Sequence, residues 1–194
     1  MWGKLVSSVF AERMMVFVAL NWLFFCFIVL GAFLADTGFV KVVEVPFERK
    51  PLDVEGSLDY FSMFLFTFVF NLFLSGFLLL TVTGAIFFPL SFGFLLFRGF
   101  LWGVLLYNLD VSAFLAVLPT IVLEGEAYVF AALAGFLLGL SWLKPKWVYG
   151  NEQLSRGDSF RRAVGECKEL YLMVIILLLV AAAVETATIA VTGF

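Results

Sequence analysis

The sequence predicts an all-α, polytopic membrane bundle of about five transmembrane helices, on three observations. Apolar residues fill 63% of the 194 positions and charged residues only 14%, and the mean hydropathy of +1.09 lies far above that of a water-soluble domain. The 26 Phe would be an aggregation hazard on a protein of this size in water, and lipid removes the hazard. The charges, finally, gather in short clusters between long apolar runs, so the chain reads as one integral membrane domain over residues 1–194.

The first run, residues 14–34, follows Lys4 and Arg13. It exceeds the roughly 7–15 apolar residues of a signal-peptide core and has about the length of a span, so it is expected to stay as the first helix. Residues 35–59 are polar, and Pro46 and Pro51 oppose a continuous helix there. They predict an exposed extracytoplasmic loop in which residues 41–47 alternate enough for a short extended piece. Residues 60–107 are apolar for about two spans, with a break expected at Thr83-Gly84 or Pro89 and helices over 60–83 and 85–107.

After a polar turn at Asn108-Leu109-Asp110, residues 111–142 exceed one straight span. Pro119 predicts a kink or a broken helix there. Residues 143–168 predict a basic cytoplasmic loop, because Lys144, Lys146, Arg156, Arg161, Arg162 and Lys168 are half of the 12 basic residues. Within it, Phe160, Val164, Cys167 and Tyr171 recur at helical spacing after Asp158 or Ser159 as a cap, which suggests a helix lying on the membrane surface. Residues 170–191 form the fifth span. The positive-inside bias then places the N-terminus and the basic loop in the cytoplasm and the C-terminus outside.

Composition also excludes chemistries. The net charge of −3 argues against nucleic acid as a partner. The absence of histidine removes the commonest general base and metal ligand, so neither a metal nor a cofactor is expected. Cys26 and Cys167 suggest no disulfide.

What remains is a set of polar groups inside apolar runs: Asn71, Arg98, Glu124, Glu126 and Glu185. A charge near the bilayer centre costs at least about 2.5 kcal/mol, so each needs a compensating partner. Arg98 is expected to pair with Glu124 if the third and fourth spans lie side by side. Glu124 and Glu126 sit about 200° apart on a regular helix and cannot converge on one site. A helix restarting at Pro119 would put Glu124 near its positive end. Gly99 and Gly103, and Ala131, Gly135 and Gly139, are small residues four apart, as close helix packing in lipid requires, within the chain or in a homodimer.

The pattern resembles the stage II sporulation protein M family. Its Pro-His-Gly-x-x-Glu segment is similar to Pro119-Thr120-Ile121-Val122-Leu123-Glu124, and the Gly-rich helix after it to Ala134-Gly135-Phe136-Leu137-Leu138-Gly139. An Asn-Gly-x-x-x-Gly pattern resembles Arg98-Gly99-Phe100-Leu101-Trp102-Gly103, and an Asn one run earlier resembles Asn71. The likeness covers residues 60–142 well and the two ends by hydropathy only, and Thr120, Ile121 and Arg98 depart from it. It carries over Glu124 and the four glycines. In sporulating bacteria the family implies a membrane scaffold that gathers cell-wall hydrolases during engulfment.

Two functions are therefore expected to compete. One is a non-enzymatic scaffold that meets the lipid bilayer, a second copy, or a membrane or soluble protein. The other is a small permease or permease subunit built on an intramembrane Arg/Glu cluster. A glutamate-based intramembrane hydrolase is the weakest alternative, since no nucleophile-base pair is visible.

Overall fold

A computed structural model describes residues 2–40, 57–150 and 154–192, with side chains from residue 13 in the first stretch and from residue 59 in the second. The elements are α1 (Trp2–Asp36), α2 (Ser57–Phe70), a π-helical segment (Asn71–Val82), α3 (Thr83–Ile86), α4 (Phe88–Leu106), α5 (Val111–Leu143), α6 (Pro145–Tyr149) and α7 (Arg156–Thr192). They contain five helices long and apolar enough to cross a membrane: Arg13–Asp36, Asp59–Ile86, Phe88–Leu106, Val111–Leu143 and Arg156–Thr192. Among the described residues there is no strand. Most of the loop expected over 35–59, including the extended piece at 41–47, lies outside the described residues.

Contacts between helices fix their relative directions. Phe24 lies against Gly99 and Ile28 against Gly103, so α1 and α4 run parallel. Gly76 meets Ala131, Leu80 meets Gly135 and Gly84 meets Gly139 at one constant offset, so the second span runs parallel to α5. Arg98 reaches Tyr128 while Ser91 reaches Ala132, which makes α4 antiparallel to α5. Cys167 touches Ala134, and Val174 sits by the Gly76–Ala131 contact, which makes α7 antiparallel to it as well. One end of the bundle therefore collects Arg13, whose Nη2 donates to the Val148 carbonyl (2.9 Å), together with α6 and the start of α7. The other end collects Asp36, Asp59 and Asp110. There the Asp36 carboxylate raises the pKa of the Tyr107 hydroxyl.

α5 is the axis of the structure. It packs against α1, the π-helical segment, α3, α4, α6 and α7, and it is buried without interruption from Ala127 to Gly135. A helix buried on every side needs small residues for its neighbours to come close, and Ala131, Ala132, Ala134 and Gly135 supply them. A Cβ at Gly135 would strike the Leu80 carbonyl oxygen, one at Gly139 the Gly84 carbonyl oxygen, and one at Gly103 the Ile28 carbonyl oxygen. At Gly99 it would come 2.8 Å from the Phe24 carbonyl oxygen. All four glycines face this chain's own helices.

Several boundaries decide between or correct the sequence expectations. The helix containing Pro119 is not broken: α5 continues from an Asp110 cap, whose carboxylate accepts from the Ala113 N–H (2.8 Å), through Pro119 to Leu143. Proline is tolerated inside spanning helices, so no new helix end arises near Glu124. Of the two places expected for the turn between the second and third spans, the structure takes the one near Pro89: the chain is extended at Phe87, while Thr83 and Gly84 are helical. The Ala85 carbonyl, left open where α3 ends, accepts from the Trp142 indole N–H (2.7 Å), and Pro89 sits in the first turn of α4, where a missing N–H costs nothing.

No separate surface helix precedes the last span, because α7 runs unbroken from Arg156 into it. Its cap is Ser155, whose Oγ accepts the Asp158 N–H (3.1 Å), a capping arrangement one turn earlier than Asp158 or Ser159. The face it buries is Ser159, Ala163, Cys167, Leu170 and Val174, with Phe160 and Val164 exposed. Small residues on that face let α7 approach α5 closely.

Overpacking a filled contact costs about 1–3 kcal/mol. Gly103→Ala is expected to lower the unfolding free energy in mild detergent by that amount. Gly93→Ala, where an added Cβ meets nothing within 4 Å, is expected to leave the unfolding midpoint unchanged or slightly raised.

Candidate functional site

The polar groups near the middle of the spans form one circuit. On the second span, Asn71 opens the π-helical segment and Ser75 follows four residues later, both buried. On α5, Glu124 and Tyr128 are also four apart and therefore share a face. Arg98 approaches from α4. The Asn71 amide donates to Glu124 Oε1 (2.6 Å), and the Tyr128 hydroxyl donates to Glu124 Oε2 (3.3 Å). Arg98 Nη2 donates to the Tyr128 hydroxyl (2.8 Å) and Nη1 to Ser75 Oγ (3.0 Å).

Arg98 and Glu124 are thus joined through a phenol and not by direct contact. Tyr128 fills the gap with its ring as well as its hydroxyl. The guanidinium carbon lies 4.1 Å from the Tyr128 ring centroid and 5.3 Å from that of Trp102, a cation–π arrangement that strengthens where water is excluded. Trp102 in turn meets Phe24 edge-on at 5.7 Å, which closes the site on the α1 side. With Glu124 as a carboxylate, the circuit balances one positive against one negative charge.

Of the polar residues singled out in the sequence, Asn71, Arg98 and Glu124 come together. Glu126 does not: it points to the α1 side, half-buried beside Asn21. Glu185, on α7, is half-buried and within electrostatic reach of Glu124, and it makes no hydrogen bond among the described residues. Ser75 and Tyr128 escaped the sequence reading, because Ser and Tyr within apolar runs are ordinary. The usable signal for Tyr128 was its place four residues after Glu124.

A second polar link lies one turn further along the π-helical segment. Thr81 Oγ1 lies 2.9 Å from the Ala131 carbonyl oxygen and 3.1 Å from that of Gly76, and the Tyr171 hydroxyl donates to Thr81 Oγ1 (2.6 Å). This ties the π-helical segment to α5 and α7. Among the described residues, no three His, Cys, Asp or Glu are grouped so as to hold a metal ion. Outside the spans, burial and then the Glu166 carboxylate push the Tyr149 hydroxyl above its usual pKa, and Arg162, 4.6 Å above its ring, opposes them.

The family model for stage II sporulation protein M matches residues 18–188, a stretch that includes every member of the circuit and all four packing glycines. No curated protein matches the chain, and no solved structure does.

Removing one buried hydrogen-bond partner costs about 1–3 kcal/mol. Tyr128→Phe deletes only the hydroxyl that joins Arg98 to Glu124, and the unfolding free energy in detergent is expected to fall by about that much. Glu126→Gln, outside the circuit, is expected to stay within about 0.5 kcal/mol of the parent.

Proposed function

Since the chain belongs to the stage II sporulation protein M family, we propose that it is a non-enzymatic membrane scaffold that holds a protein partner in the bilayer. The observation that carries this reading is the chain of hydrogen bonds from Asn71 through Glu124, Tyr128 and Arg98 to Ser75, which leaves the Arg98 Nε buried without a partner among the described residues. Glu124 and Arg98 are held by side chains of this chain, and Asn71, Ser75, Tyr128 and Glu124 are buried. Such a network fixes helix register, and a rigid body is what a scaffold needs. The glycine stripes face inward, so recognition falls to the outer surface. Along the second span that surface carries exposed Phe61, Phe66, Phe70, Phe73 and Phe77.

In this reading the end bearing Arg13, Lys144, Lys146, Arg156, Arg161 and Arg162 faces the cytoplasm, and the end bearing Asp36, Asp59 and Asp110 lies outside. The C-terminus is then extracytoplasmic. A homodimer would use the outer faces, not the glycine stripes.

One observation favours a permease instead. The circuit abuts a π-helical segment of 12 residues, and π-helical geometry recurs at functional sites. The two readings separate on Glu124→Gln.

The experiment is site-specific photo-cross-linking of the tagged chain in native membranes, with the photoreactive residue at Phe66 or at Trp147. A scaffold is expected to give one defined adduct with another protein, unchanged in Glu124→Gln. The reading is lost if only self-adducts form while a solute flux in proteoliposomes disappears in Glu124→Gln.

A further inference from the structure

An open groove of about 650 Å³ runs along the outside of the bundle, between the second span, the end of α5 and the start of α7. Its walls are apolar: Phe77, Val82, Ile86, Leu138, Trp142 and Phe160. The volume is typical of a small-molecule site. Thr81, the polar group at its base, is engaged with Tyr171 and Ala131.

The groove runs from the interior of the second span at Phe77 to the bundle's basic end, where α3 stops at Ile86, α5 stops one residue after Trp142, and α7 starts at Arg156. Trp142 is held in place as a wall by its hydrogen bond to Ala85, and tryptophan favours the depth of lipid headgroups. Arg156 lines the mouth, exposed, with no partner among the described residues. Gly157 beside it leaves the rim clear, since an added Cβ would meet only Ser155 Oγ at 4.0 Å. The acid on this turn, Asp158, is turned onto Ser155 Oγ (2.5 Å). Lys144 rests on the Trp147 ring at 3.7 Å, and Arg156 is the cation among the described residues that line the groove.

We infer that the groove is a binding site for an anionic phospholipid, with one acyl chain lying along Phe77, Val82, Ile86 and Leu138 and the phosphate at Arg156. A polar solute would gain little from the apolar wall, and a neutral apolar one would leave the Arg156 guanidinium unused. A lipid presents a chain and a charge in the order in which the groove presents a wall and a guanidinium. The inference does not depend on whether the protein is a scaffold or a permease.

The test places the full-length chain in phosphatidylcholine vesicles containing a diazirine-tailed phosphatidylglycerol or, separately, a phosphatidylcholine with the same tail. Labelled peptides are mapped by mass spectrometry. Attraction of about 1 kcal/mol per basic residue corresponds to about a fivefold preference. The phosphatidylglycerol probe is expected to label residues 77–86, 138–142 and 156–160 about fivefold more than the phosphatidylcholine probe. Arg156→Gln should abolish that preference, Arg161→Gln should keep it, and Ala85→Leu, which narrows the groove, should reduce labelling by both probes. Equal labelling by the two probes on the unsubstituted chain overturns the inference without any variant having to fold. So does an equal loss in Arg161→Gln, which would mean diffuse attraction to the basic end. Chain-to-chain adducts in place of lipid adducts would give the groove to a second copy and overturn it as well.

Discussion

At the depth of Glu124 there is no water to satisfy a polar group, and an unpaired amide, hydroxyl or charge there costs several kcal/mol. The chain carries five such groups from three spans into one place and bonds them to one another, with the Arg98 Nε left over among the described residues. Asn71 and Ser75 come from the second span, Arg98 from the third, and Glu124 and Tyr128 from the fourth. A slip of one residue on either the second span or α5 would swing two of these groups away together, because each helix contributes a pair spaced by four. The circuit therefore sets register, while van der Waals packing alone would tolerate several registers between apolar helices.

Closing the circuit requires helix backbones that nearly touch. The constant offset along the second span and α5, Gly76 on Ala131, Leu80 on Gly135 and Gly84 on Gly139, brings these helices close enough for Asn71 to reach Glu124. The π-helical stretch falls inside this contact. Its Thr81 hydroxyl lies within hydrogen-bonding distance of the Gly76 carbonyl five residues back and of the Ala131 carbonyl across the interface, so the irregular backbone is supported from both sides. On the other flank, Gly103 and Gly31 let α1 and α4 approach until a Cβ on either would collide with the partner's backbone. Polar satisfaction and small-residue packing are in this sense one constraint.

The five spans were legible in the sequence because lipid demands long apolar runs whatever the tertiary contacts. Boundaries were legible only where a polar cluster coincided with a chain reversal. At Phe87 it did not: the turn is made of apolar residues, and only Pro89, two residues on in the first turn of the next helix, signalled it. Pro119 offered a kink or a break, and the helix is continuous through it, as spanning helices allow where neighbouring groups satisfy the freed carbonyl. The basic stretch before the last span has loop-like composition but a capped helix by position, and its continuity with α7 depends on the face made by Ser159, Ala163 and Cys167 meeting α5. Asn71, Arg98 and Glu124 stood out as polar groups in lipid. Tyr128 and Ser75, which connect them, did not, because neither residue type is unusual in a span and which helices adjoin is a long-range fact.

The continuity of α7 changes what its basic end can do. A surface helix joined to the last span by a flexible link could bind lipid or protein without consequence for the bundle. In a single helix from Arg156 to Thr192, the exposed basic end is continuous with the face that buries Ser159, Ala163, Cys167, Leu170, Val174 and Leu178. The same helix carries Cys167 against Ala134 and Glu185 into electrostatic reach of Glu124. A tilt or rotation of α7 at Arg156 would therefore have to be taken up along its contact with α5, because no link separates the two parts.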